Sequence, residues 1–273
     1  MKIFVSGPPA SGKSYYAQKI EKYYNVPRVH VKELTDAAFK IANAEEEEGN
    51  EPTEFEAEIK TRVEELRDAA VAKIEEENAD KSQAEDEPEI DRLALPIRIP
   101  DDIIYRMLID RLKENDCRNR GYVLDGFPRN YKDAQNIFLK RIPQYDEDGN
   151  LVEVDEPELE EGEEKNWDGY EIDNTIAPSS VIVLTQDDSF LINRVKNLPD
   201  DVITGTHNNP KDLARRLKLY RECNESQIAE PSVQQFFKER NTQTFTKDAA
   251  SSEESLFNGI KIYIERIESP INF

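Results

Sequence analysis

Two cysteines, two histidines and the lack of any long apolar run set the first limits on this 273-residue chain. Cys117 and Cys223 lie far apart in sequence, which suits reduced structural thiols in a cytosolic protein better than a disulfide or metal framework. His30 and His207 are too few to complete a zinc site with them. No stretch reaches the roughly eighteen consecutive apolar residues of a membrane span. Met1 passes directly into strand-type sequence, so no targeting leader is expected. Positive charge is also scarce, with 36 Lys and Arg against 58 Asp and Glu and a net charge of −22.

That deficit is local. Residues 44–91 hold 20 acidic and 5 basic side chains, and residues 146–173 hold 14 and 1, so these two stretches carry −15 and −13. The remainder of the chain is therefore +6, a balance that favours polyphosphate ligands. Acidic inserts repel a phosphate backbone, so nucleic acid is not an expected partner.

What the chain does have is Gly7-Pro8-Pro9-Ala10-Ser11-Gly12-Lys13-Ser14, a complete G-x-x-x-x-G-K-S loop. The apolar run Met1–Ser6 before it reads as a strand, and Ser14–Tyr24 after it reads as a helix. At such a strand-to-helix turn, backbone N–H groups converge on phosphates. Lys13 then reaches the β/γ-phosphates and Ser14 offers its hydroxyl to Mg²⁺. The alternative, a glycine-rich turn that binds nothing, has to ignore both flanks.

Further along, Arg28–Val31 reads as a second strand after a turn at Asn25-Val26-Pro27. Glu45–Glu51 reads as a solvated loop. Thr53 and Glu56 form a T-x-x-E capping box, and Phe55, Ile59, Val63, Leu66, Ala70 and Ile74 recur at steps of three and four. An amphipathic helix is expected there, packed on its own domain or on a partner. Pro100-Asp101-Asp102 opens a further helix with Ile104, Met107, Leu108 and Leu112 inward, and Gly121–Asp125 reads as a buried strand ending in a carboxylate. Asp146–Asn150 reads as a hairpin turn before Leu151–Val154; Gln144 at the first ligand position argues against a calcium loop. A strand at Val181–Leu184, helices near Ser189–Asn197 and Asp212–Glu222, a short strand at Thr244–Thr246 and a helix over Glu253–Ile267 follow. Strands alternating with helices predict an α/β fold with a parallel sheet covered on both faces.

Ile99–Ile104 through Gly121-Tyr122-Val123-Leu124-Asp125-Gly126-Phe127-Pro128-Arg129 resembles the adenylate kinase family, with its proline-aspartate helix start and strand ending D-G-F/Y-P-R. Ser180–Leu184 with Asp187, Asp188 and Arg194, and Arg215–Tyr220, are similar to the family's next strand and later K-R-L-x-x-Y helix. Within the family, the first acidic insert, Cys117-Arg118-Asn119, Asn197-Leu198-Pro199 and Gly205-Thr206-His207 resemble the branch of cilia and flagella, isoform seven. The resemblance implies a P-loop NTPase fold with a five-stranded parallel sheet and one domain over 1–273. Its core would be 1–43, 93–142 and 179–273, with acidic inserts at 44–92 and 143–178 and a short lid at about 198–210.

It also implies a nucleoside monophosphate kinase using MgATP and AMP, cytoplasmic and axonemal, with the acidic inserts free to dock on axonemal proteins. Lys13 would hold the β/γ-phosphates, and Asp125 with Ser14 would orient Mg²⁺. Arg129 would clamp the acceptor phosphate, Arg216 would follow charge on the transferring group, and Arg194 would stack on the donor base. A structural ion pair for Asp125 and Arg129, and solvated charge for Arg194 and Arg216, are the competing readings.

Three departures stand out. The family's T-G-D-x-x-R is replaced by Lys32-Glu33-Leu34-Thr35-Asp36-Ala37, leaving Lys32 or Lys40 as point charges. Asp133 stands where the family has an adenine-reading Gln; it is expected either to face a guanine edge or to be a surface carboxylate. Leu198 and Gly205 occupy two of the lid's usual arginine positions, and the lid has no zinc pattern. A weak or inactive nucleotide-holding scaffold, and a kinase for another acceptor, are the alternative functions.

Overall fold

A computed structural model of the chain describes residues 1–44, 52–79, 90–152, 165–198, 210–225 and 231–268. The expectations for Glu45–Glu51, for Gly205-Thr206-His207 and for most of the lid fall outside these residues. The described chain forms two compact units, Met1–Val29 with Ile109–Phe273, and His30–Leu108.

The larger unit is built on strands β1 (Lys2–Ser6), β3 (Tyr122–Asp125), β4 (Ser180–Thr185) and β5 (Gln243–Asp248), with β2 (Arg28–His30) beside β3. The order β2-β3-β1-β4-β5 makes the expected five-stranded parallel sheet. Val5 lies opposite Asp125 on one side and Ile182 on the other, so β1 is the central strand. Alternation sends Ile3 and Val5 to one face, where Val123, Ile182 and Leu184 join them. There they pack against Tyr16, Ala17 and Ile20 of α1 (Lys13–Tyr24) and Leu256, Ile260 and Ile264 of the C-terminal helix Glu253–Glu268. Phe4 turns to the other face, its ring 5.6 Å from Phe237 of Val233–Glu239. Phe237 in turn lies 5.6 Å from Phe138 of Tyr131–Phe138. Helices thus cover both faces.

In the second acidic insert, Gln144–Tyr145 and Leu151–Val152 pair antiparallel across the expected turn, where Asp146 Oδ1 accepts the N–H of Asn150 at 2.8 Å. Leu139–Arg141 and Tyr170–Ile172 form a second small ribbon that no alternation in the sequence marks.

The smaller unit holds the amphipathic helix Glu54–Ala79. Its capping box is formed: Glu56 Oε2 accepts the Thr53 N–H at 2.8 Å, and Thr53 Oγ1 accepts the Glu56 N–H at 3.3 Å. Ile59 and Val63 are fully buried, and Leu34 and Ala38 are buried on the preceding helix Val31–Ala42, on which it packs. The inward position after Val63 is taken by Arg67 rather than Leu66. Arg67 is 3% exposed and donates to Asn43 Oδ1 at 2.6 Å and Glu64 Oε1 at 2.5 Å, which satisfies its charge.

Candidate active site

The G-x-x-x-x-G-K-S loop lies between β1 and α1, beyond the carboxyl end of the central strand and at the point where the strand order reverses. In open parallel sheets, ligands bind at that crevice. Gly12 has φ 96° and precedes Lys13, the first residue of α1, so the loop enters its helix through a left-handed residue. Lys13 Nζ donates to Pro8 O at 2.7 Å, folding back over the loop. Burial pushes the Lys13 ammonium down to about 8, with nearby Arg216 adding to the depression and Asp125 opposing it.

Asp125 closes β3 beside the loop and is 2% exposed. Its Oδ1 accepts the Ser14 hydroxyl at 3.0 Å, and its Oδ2 pairs with Arg28 at 3.1 Å. The next residue, Gly126, has φ 68°, and a Cβ there would stand 3.2 Å from Lys13 Cε. Absence of a side chain lets the lysine stem pass. Arg28 belongs to no motif and escaped sequence reasoning. The available signal was an arginine opening the strand next to the one that ends in Asp125.

Three further cations reach this place. Arg129 is exposed, but its backbone is held on both sides: Asp133 Oδ2 accepts its N–H at 2.8 Å, and its carbonyl accepts from Asn224 Nδ2 at 3.0 Å. Arg216, on the helix Pro210–Asn224, is half-buried; burial and then Arg129 hold its guanidinium below the usual arginine range. Arg194 Nη1 donates to Ser11 O at 3.3 Å, and its guanidinium lies 3.7 Å from where a Gly12 Cβ would be. Arg216 is therefore repelled electrostatically by both Lys13 and Arg129. Like charges held together in this way make a site for a polyanion.

Asp133 requires a correction. It is neither a surface carboxylate nor open to a base edge. It is 6% exposed, with its N–H bonded to Asn130 Oδ1 at 2.7 Å and its carboxylate on the Arg129 N–H. Asn130 caps the first turn of Tyr131–Phe138 by accepting the Asp133 N–H, and the Asp133 side chain reaches back to the Arg129 N–H ahead of the cap. Lys32 and Lys40 lie on Val31–Ala42 in the smaller unit, a helix without arginine.

Ser14 Oγ and Asp125 Oδ1 are hard oxygen donors side by side, the kind that suits Mg²⁺. Among the described residues, no group of three or more His, Cys, Asp or Glu gathers as a self-sufficient metal site. A cation here leans on ligand oxygens as well. Nor is any described helix long and apolar enough to cross a membrane.

No protein-family model matches the chain. It is 30% identical over 281 aligned residues to a protein named adenylate kinase 7 from Macaca fascicularis, covering 100% of this chain and 46% of that protein. A protein of the same name from Mus musculus is 30% identical, with 100% of this chain and 40% of that protein covered. An adenylate kinase of Lachnoclostridium phytofermentans is 27% identical over 158 residues, 58% of this chain and 54% of its own length. The chain thus spans less than half the length of the two mammalian relatives it matches end to end.

Proposed function

We propose that this chain is a member of the adenylate kinase family, with the P-loop NTPase fold of its relatives, and that it transfers the terminal phosphoryl group of MgATP to AMP, giving two ADP. The observation that supports this most is the convergence of Lys13, Arg129 and Arg216 at the loop beside Asp125. Phosphoryl transfer needs the two substrates placed in line and the equatorial charge offset, and little covalent help from the protein. Loop N–H groups and Lys13 hold the β/γ-phosphates of the donor. Arg194, against Ser11, lies beside the loop for the donor nucleoside. Arg129 clamps the acceptor phosphate through a bidentate fork, its backbone fixed by Asp133 and Asn224. Arg216, repelled by Arg129 in the free protein, would have that repulsion offset by the negative charge of the transferring group. Ser14 and Asp125 would hold Mg²⁺, which would supply positive charge to offset that of the phosphates.

Val31–Ala42 offers lysines where a bidentate arginine is expected, and this favours weak acceptor binding as the second reading. In that reading the chain holds nucleotide as a module of a ciliary or flagellar axoneme, its acidic inserts turned to basic partners. Both readings place it in the cytoplasm or the axoneme. ADP formation from MgATP with AMP, GMP, CMP and UMP, beside Lys13→Ala and Arg129→Ala, separates them. Turnover of AMP that both substitutions abolish supports the kinase. Tight MgATP binding with no turnover of any acceptor refutes it in favour of the scaffold.

A further inference from the structure

We propose that Arg28 is a positioning residue that denies the site's carboxylate to free divalent cations, so that the metal enters only with the nucleotide. The inference rests on the phosphoryl-transfer reading for its choice of metal. Arg28 opens β2 with its side chain 19% exposed, while that of Asp125 is 1% exposed, so the 3.1 Å pair is largely shielded from water. Its Nε lies 3.6 Å from Glu21 on α1, which holds the guanidinium from behind. Both oxygens of Asp125 are thereby engaged, Oδ1 by the Ser14 hydroxyl and Oδ2 by Arg28.

Lys13 adds a second positive charge acting on the same carboxylate, and Arg216 a third beyond it. A bare divalent cation approaching Asp125 meets more positive charge than negative, and in a partly buried site that repulsion is weakly screened. A triphosphate reverses the balance: its oxygens take up Lys13 and Arg216 and bring the metal as part of an anionic complex. Arg28 does not need to leave. It holds Oδ2 and keeps Oδ1 turned to the Ser14 side.

The test titrates Mn²⁺ into the nucleotide-free full chain and follows unbound Mn²⁺ by electron paramagnetic resonance. Arg28→Met is expected to bind Mn²⁺ at least about tenfold more tightly than wild type. Adding Asp125→Asn to that variant should remove the gain, and Arg28→Lys, which keeps the charge, should resemble wild type. Should Arg28→Met not fold, Arg28→Gln carries the same comparison, since it is neutral yet still a donor. Equal affinities in wild type and the neutral variants, a gain that survives Asp125→Asn, or tight Mn²⁺ binding by wild type that Asp125→Asn abolishes would each overturn the proposal. None of these readouts needs turnover, so an inactive wild type would refute the kinase reading and leave the Mn²⁺ comparison to be judged alone.

Discussion

Nucleotide binding should weaken steeply with pH across a range in which the nucleotide itself no longer titrates. In the free protein Lys13 is pushed down to about 8, chiefly by burial. A bound polyphosphate stabilises only its ammonium form, so binding returns the group toward its ordinary range and takes up a proton wherever Lys13 was neutral. A phosphate's second ionisation, near about 6, is complete above pH 7.5. With a free-state value of about 8, roughly a quarter of the lysine is neutral at pH 7.5 and nearly all of it at pH 9.5. The dissociation constant of ATP should therefore rise about 25-fold between those pH values, and binding at pH 8 should take up about half a proton.

Titration calorimetry in buffers of differing ionisation enthalpy reads both quantities. Lys13→Met should bind weakly with a flat profile. The ligand-free fold carries the opposite sign. Its Lys13 holds fewer protons than in the unfolded chain between about 8 and the ordinary 10.5, so its stability should rise with pH there. A wild-type affinity constant within twofold from pH 7.5 to 9.5 would refute the placement of Lys13 as the buried phosphate-binding cation.

Asp125→Asn should lower turnover about a hundredfold or more while ATP without divalent metal binds at least as tightly as to wild type; a loss of metal-free binding counts against its assigned role. Arg129→Lys should cost about a hundredfold in turnover and leave the dissociation constant of MgATP unchanged, as measured by calorimetry beside coupled ADP assays. Gly126→Ala forces a Cβ into φ 68° and 3.2 Å from Lys13 Cε. It should destabilise the fold by about 1–2 kcal/mol and weaken ATP, as seen in denaturant melts and titrations. Thr53→Ala should speed amide exchange in the first turn of Glu54–Ala79 and leave ATP affinity alone.

The sheet and the loop were legible because their cues are local: a strand-type run, a complete phosphate motif, and Thr53 and Glu56 at the one spacing that closes a capping box. What stayed hidden depends on satisfaction across the chain. Asp133 looked like a surface charge because nothing nearby in sequence says that the Arg129 N–H needs an acceptor. Arg67 broke an apolar stripe because Asn43, 24 residues away, could accept from it. Arg28 meets Asp125 across 97 residues, a pairing that follows only from β2 lying next to β3. Asn224, holding the Arg129 carbonyl, lies in no motif at all.

The position of β1 has a consequence for the order of assembly. Lys2 pairs with Tyr122 and Ile3 with Ser180, so the central strand leaves the ribosome long before either neighbour exists. At about 5–20 residues per second, its apolar Ile3-Phe4-Val5 run waits at least several seconds without a sheet to join. Pairings of such sequence separation close slowly, and exposed strand edges invite association with other chains meanwhile. The phosphate loop, whose own eight residues are contiguous, is thus among the last parts of the domain to acquire its working geometry. A ligand that binds only that finished geometry draws the late intermediates forward by mass action.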